Sequence, residues 1–236
     1  AMELRLVGSE MCIRDRGVAQ HVIQRGNNRQ ICFGADEDFA AYAAWLREYA
    51  SKYQVDIHAW VFMTNHVHLL LTAHQPMGAS KLMQSLGRKY VQYFNFKYQR
   101  TGTLWEGRFR SCLVESESYV LACYRYIELN PVRARMVENP KDYRWSSYAT
   151  NAIGLSSSLQ TPHPSYLALG DSVSLRLDRY RDLFAHQLDA EVLKDIRLTT
   201  QKGLVLGTEA FQSQMADLLD RDVKHRPQGR PRKNRL

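Results

Sequence analysis

The sequence predicts an α+β sandwich: an antiparallel sheet with helices on one face, followed by a small helical C-terminal extension. Three observations lead there. Strand-length apolar segments and helix-length amphipathic segments run in the order strand, helix, two strands, helix, strand, helix over residues 17–150. A polar, Ser-rich stretch at 151–164 then reads as a linker. Beyond it, residues 165–223 return to a helical, mildly acidic pattern that holds no visible catalytic constellation.

The elements follow in order. Residues 1–16, "AMELRLVGSEMCIRDR", have no clear period and are left out of the fold. "GVAQHVIQRGNNR" alternates as a strand from Val18 to Arg25 and closes on a Gly-Asn-Asn turn. Asp36 can cap a helix whose buried stripe is Phe39, Tyr42, Ala43, Leu46, Tyr49 and Ala50. "VDIHAWVFM" is a second strand, and Thr64-Asn65 is a tight connection into a third, "HVHLLL". From Ser80 to about Tyr98, apolar residues recur at Leu82, Leu86, Tyr90, Tyr93 and Phe94, which is a helical period. A loop with two glycines leads to a strand over Phe109 to Val114, and Ser116 can cap a third helix that Pro131 stops. This order is that of a ferredoxin/RRM-like sandwich, with one sheet face left for function.

Bulk properties narrow the classes. The chain has 236 residues, of which 44% are hydrophobic, enough for one large domain with an appendage. Its longest apolar runs fall far short of the roughly 20 residues a membrane span needs, and its N-terminus lacks the regions of a signal peptide, so a cytoplasmic, nucleoid-associated protein with no membrane partner is expected. Cys12, Cys32, Cys112 and Cys123 show neither CxxC pairing nor zinc-type spacing, which fits reduced thiols. The net charge of +8 is concentrated in two places. Between 81 and 110, Lys81, Arg88, Lys89, Lys97, Arg100, Arg108 and Arg110 face only Glu106 and are interleaved with seven aromatic residues. Cations for phosphates and aromatic faces for unstacked bases suit single-stranded nucleic acid, although an aromatic core stripe with a solvated basic face reads the same way. The second concentration is the terminal "KHRPQGRPRKNRL", too charged and proline-rich to fold alone.

Two constellations carry chemistry. His66 and His68 alternate with Val67, so on a strand both imidazoles point to one face, where they can share a metal ion or simply be hydrogen-bonded histidines. On the third helix, Tyr126 and Asn130 are four apart and share a face with Tyr119 and Cys123. If that face meets the histidines, two imidazoles, a carboxamide and a phenol converge on a site suited to a hard divalent ion. By spacing alone, Tyr126 could be core, and Asn130 could cap a following helix that begins at Pro131.

"HVIQRGNNRQ", "TNHVHLLL", "LMQSLGRKYVQYFN", "GTLWEGRFRS" and "YRYIELNPVRA", in this order over about residues 17–150, resemble the REP-associated tyrosine transposases, a branch of the single-strand transposases with a His-hydrophobe-His motif. Thr64 stands where that family commonly has proline, a change confined to the turn. The resemblance implies His66 and His68 as metal ligands, Asn130 as a third, amide-type ligand, and Tyr126 as the nucleophile. It implies Mg²⁺ or Mn²⁺ as cofactor and, as partner, single-stranded or hairpin DNA built on REP-like palindromes. The reaction implied is attack on a phosphodiester to give a 5′-phosphotyrosyl enzyme and a free 3′-OH.

Arg25, Arg29, Arg88, Lys89, Arg108 and Arg110 are the expected DNA-positioning cations. Arg230 joins them because Gly229-Arg230-Pro231 resembles the core of peptides that lie in the minor groove of A·T-rich duplex; a generic polycation is the competing reading of that tail. A monomer or a homodimer is expected. The competing functions are a non-catalytic RRM-like binding module, which would need aromatics rather than histidines on its central strands, and a metal-dependent hydrolase that uses water and leaves no protein adduct.

Overall fold

A computed structural model describes residues 16–116, 119–220 and 222–223. The expectations for the N-terminal segment, apart from Arg16, and for the basic tail with Arg230 lie outside the described residues. The class is α+β, built on a five-stranded open sheet of order β2-β3-β1-β4-β5. β1 (Ala19–Arg25) is central, antiparallel to both β3 (His66–Ala73) and β4 (Arg110–Val114). β2 (Val55–Met63) and β3 form a hairpin over the two residues Thr64 and Asn65. The two-residue β5 (Val205–Leu206) adds to β4 in parallel.

Register decides which side chains share a face. Ile23 pairs with His68 and Arg25 with His66, so the alternation of β1 places His21, Ile23 and Arg25 on the same face as the two histidines of β3. In β2 the pairing slips between Ile57 and Ala59, a bulge that puts His58 opposite no residue. The shift brings Ala59, Val61 and Met63 onto the histidine face, among Ala19, Leu70 and Val114.

On the opposite face lie α1 (Asp36–Lys52) and α2 (Gly78–Lys97). Their periodic residues Phe39, Tyr42, Leu46, Leu82, Leu86 and Tyr90 pack on Val22, Phe62, Val67, Leu69 and Leu71. The residue that organises the start of α1 is Asp38 rather than the expected Asp36. Asp38 Oδ2 accepts from Gly34 N (2.8 Å) and Ala35 N (3.0 Å), and its carboxylate also takes Lys97 Nζ (2.6 Å) and Tyr93 OH from α2 and Tyr98 OH from just past its end. Asp36 lies exposed and accepts from Trp145 Nε1 at 3.1 Å. Tyr90, Phe94 and Trp105 are core, which resolves most of the aromatic stripe as packing, whereas Phe96 is 80% exposed.

The histidine face is not left bare. α3 (Val120–Glu128) crosses β2 and β3, and α8 (Ala190–Lys202) covers β1 and β4. α3 starts after Tyr119, not at a Ser116 cap; the Ser116 carbonyl instead accepts from Ser165 Oγ at 2.9 Å. The stretch expected to be a linker is packed. It begins inside α5 (Tyr148–Ile153), Thr161 N donates to Ile57 O (2.8 Å), and His163 is buried with its N–H on Tyr124 OH (3.2 Å). Its composition is polar and residues 153–156 are exposed, but it is tied to the edge of β2 at Thr161. α4 (Asn130–Arg133), α6 (Pro164–Leu167), α7 (Val173–Asp182) and α9 (Glu209–Leu219) complete the described helices. No helix among the described residues is long and apolar enough to cross a membrane.

The extension is fastened to α3 through a fully buried carboxylate. Glu128 Oε1 accepts from Ser147 Oγ (2.6 Å) and Asn151 Nδ2 (2.7 Å), and Oε2 accepts from Tyr180 OH (2.7 Å). Burial raises this carboxyl from 4.5 to about 7 against the opposing pull of those three donors. A raised folded-state value means the native protein binds the proton more tightly than the unfolded chain. The stability it contributes is therefore present below pH 4.5 and lost as pH rises towards 7. Over that window the loss is about 3 kcal/mol at 1.36 kcal/mol per pH unit. Chemical denaturation of Glu128→Gln at pH 5 and pH 8 should show this pH-dependent part removed; an unchanged slope with pH would place the titration elsewhere.

Candidate active site

The site is built from the turn outward. Gly26 follows β1, and a Cβ there would lie 2.3 Å from Gln30 O, so only glycine lets the chain close this turn. Gly26 N donates to Asn65 O (2.9 Å), docking the turn on the β2–β3 hairpin. Asn65 Nδ2 donates to Arg29 O (3.2 Å), which fixes its amide so that Oδ1 accepts from His66 Nδ1 at 2.6 Å. His66 is thereby held with its proton on Nδ1.

His68 lies beside it, ring centroids 5.1 Å apart and nearly perpendicular. His68 Nδ1 is 2.9 Å from His21 Nε2, and His21 Nδ1 is 2.9 Å from Thr200 Oγ1 on α8. Tyr126 on α3 meets both rings edge-on, 5.7 Å from His68 and 5.6 Å from His21. Asn130, one helical turn on, lines the same cleft of about 300 Å³, together with Arg133 of α4 and with Arg197 and Gln201 of α8. The Arg133 guanidinium lies 4.3 Å from the Tyr126 ring centroid and donates to the Tyr126 carbonyl.

Burial holds the imidazoles uncharged. It lowers His66 to about 4, with Arg25 contributing, and His21 to about 3, with Arg133 contributing. His68 falls well below 6.5, first by burial and then by the neighbouring His66, His21, Arg133 and Arg25. Burial pushes Arg133 itself down to about 10, so it remains a cation at neutral pH. Among the described residues no group of three or more His, Cys, Asp and Glu side chains is arranged to hold a metal. The donor set at this cleft is instead two neutral imidazoles and an amide. With both Nδ1 atoms engaged in hydrogen bonds, each ring keeps Nε2 for a ligand, the arrangement usual for metal-binding histidines.

The expected cations divide by position. Arg25 lines the cleft, and Arg108 and Arg110 flank it with Glu106, Gly107 and Gln201. Arg88 and Arg108 border an adjoining groove of about 670 Å³ floored by Trp105, Phe109, Met83 and Val91. Lys89 is not part of that groove; its ammonium lies 5.6 Å from the Trp45 ring. Arg29 is exposed on the turn beside Asn65. Sequence reading missed His21, Arg133 and Thr200. Arg133 was within reach, since it continues the stripe of Tyr119, Cys123, Tyr126 and Asn130 by one further turn.

A family model described as "Transposase IS200 like" matches residues 16–130. Over residues 16–130 the chain is similar to the IS200-like transposases. The match takes in β1, the hairpin bearing His66 and His68, and α3 with Tyr126, and it ends at Asn130, so Arg133, Arg197 and Thr200 reach the cleft from beyond it. Among solved structures, the fold is similar to that of a REP-associated tyrosine transposase bound to a REP hairpin, with TM-score 0.52 and 16% identity over 63% of this chain and 87% of that one. A provisionally assigned transposase from Deinococcus radiodurans R1 aligns with TM-score 0.36 and 24% identity over 47% of this chain and 88% of its own. No curated protein matches the chain.

Proposed function

We propose that this chain is a transposase of the REP-associated tyrosine type, a metal-dependent single-strand nickase and strand transferase acting on hairpin DNA with a single-stranded flank. The observation that carries the reading is the lining of one cleft by Tyr126, His66, His68 and Asn130, three residue types from two distant segments. Tyr126 Oη attacks the scissile phosphorus, the bond from phosphorus to the 3′-oxygen breaks, and that oxygen leaves as a 3′-OH after taking a proton. The 5′-phosphate stays on the phenol. Attack by the 3′-OH of another strand reverses the exchange without ATP, because the phosphodiester is traded one for one.

A free tyrosine is mostly protonated at neutral pH and needs activation. Arg133, a cation against the Tyr126 ring, offsets negative charge developing on the phenol. His66, His68 and Asn130 would hold a Mg²⁺ or Mn²⁺ ion, which supplies Lewis-acid polarisation of the phosphate when bound. Arg25, Arg108 and Arg110 surround the cleft where the phosphates would lie. An RRM-like module binds across an open sheet, and here α3 and α8 occupy that face, which disfavours the binding-only alternative.

The test is incubation with labelled hairpin DNA and Mg²⁺ or Mn²⁺, followed by denaturation. A DNA-linked protein band is expected; cleaved DNA with no linked protein would mean that water is the nucleophile. Arg88→Ala should also flatten the dependence of log affinity on log salt by about 0.7, the value for one phosphate contact on a single strand. Lys89→Ala, outside the groove, should change it less, and equal changes in titrations at several salt concentrations would exclude the groove as the DNA path.

A further inference from the structure

We infer that Thr200, in the extension beyond the family match, acts through His21 to hold the proton of His68 on Nδ1 and so keeps the Nε2 lone pair available to a divalent cation. The inference rests on the proposed metal-dependent reading and concerns a positioning residue, not a catalytic one. Its basis is the direction of successive hydrogen bonds. Thr200 Oγ1 lies 2.7 Å from Ile196 O, and a carbonyl can only accept, so the one hydroxyl hydrogen is committed there. The same oxygen can then only accept from His21 Nδ1 at 2.9 Å, and Cys112 Sγ, at 3.2 Å, is placed to donate to its other lone pair.

A neutral imidazole with hydrogen on Nδ1 has an acceptor at Nε2. The atom facing that acceptor at 2.9 Å is His68 Nδ1, which must therefore donate. His21, His68 and Thr200 are all buried, so water does not compete for these positions. His66 gains the same tautomer from its chain neighbour Asn65, whereas His68 obtains it only through a helix that packs late in the chain. The extension is then part of the ion site rather than an addition to it.

Long-range ¹H–¹⁵N correlation spectra of the metal-free full chain report which imidazole nitrogen carries hydrogen. The expected result is His68 protonated on Nδ1 and bare on Nε2. Thr200→Val keeps the shape of the side chain but removes the acceptor. It should turn His68 into a mixture of tautomers and weaken Mn²⁺ binding, read by the electron paramagnetic resonance of the free ion, about 10- to 100-fold. Thr200→Ser should restore both. A wild-type His68 with hydrogen on Nε2, or Thr200→Val with wild-type Mn²⁺ affinity, overturns the inference. The wild-type spectrum decides the tautomer even if the valine variant does not fold. The expected tautomer in a wild-type protein that binds no Mn²⁺ would instead remove the metal-dependent reading.

Discussion

Tyr126→Phe should give no denaturation-resistant protein–DNA adduct at any time of incubation, while hairpin affinity stays within a few-fold of wild type. The substitution deletes the attacking oxygen and keeps the ring that packs between His21, His68 and Arg133, so the loss falls on chemistry rather than on the fold. The informative control is Tyr124→Phe. Tyr124 is two residues away on the same helix, but it is fully buried, stacks on Tyr166 and accepts from His163 N. Removing its hydroxyl should cost about 1 kcal/mol of stability and leave the adduct intact. An adduct that survives in Tyr126→Phe, or maps to Tyr124, would transfer the role of nucleophile.

The second large effect is expected at the histidines. His66→Ala and His68→Ala should each lower the cleavage rate by about three orders of magnitude, the scale of several kcal/mol of charge stabilisation at the phosphate. Each should also weaken Mn²⁺ binding, measured by calorimetry in the absence of DNA. The two differ in collateral damage. His66 bonds to its neighbour Asn65 and meets the edge of His68, whereas His68 is buried and packed against His21 and Tyr126 as well, so His68→Ala should also lower the melting temperature. Cleavage that proceeds unaltered in chelator would remove the ion from the scheme and leave the cleft to the cations alone.

Much of this site could be read from local periodicity. A period of two put His66 and His68 on one face, and a period of 3.6 put Tyr126 and Asn130 on another; the structure brings both to one cleft. What escaped depends on pairings between distant segments. His21 is an ordinary strand residue until register sets it beside His68, and Thr200 is an ordinary helix residue until α8 packs over β1. The bulge at His58 changes which half of β2 faces α3, and no local pattern signals it. The second sheet face is covered because α3 and α8 pack across it, and the docking of α8 from so far along the chain leaves no periodic trace. The Ser-rich stretch misled for a related reason, since composition reports solvation and not where the backbone hydrogen bonds go.

That stretch, together with Trp145 and Ser147 just before it, also governs how two copies of this chain could meet. A strand at the border of a sheet ordinarily offers a row of free amides and carbonyls to any passing chain. Along the outer side of β2 those groups are already spoken for: Trp60 O and Phe62 N bond to Ser147 and Trp145, and Ile57 O bonds to Thr161. At the other border β5 occupies Leu113 and Val114 of β4. A second molecule cannot continue the sheet at these positions without first peeling away the protein's own segments. Any pair this chain forms there is joined by side chains, and its contact should respond to surface substitutions rather than to backbone-blocking prolines in the strands.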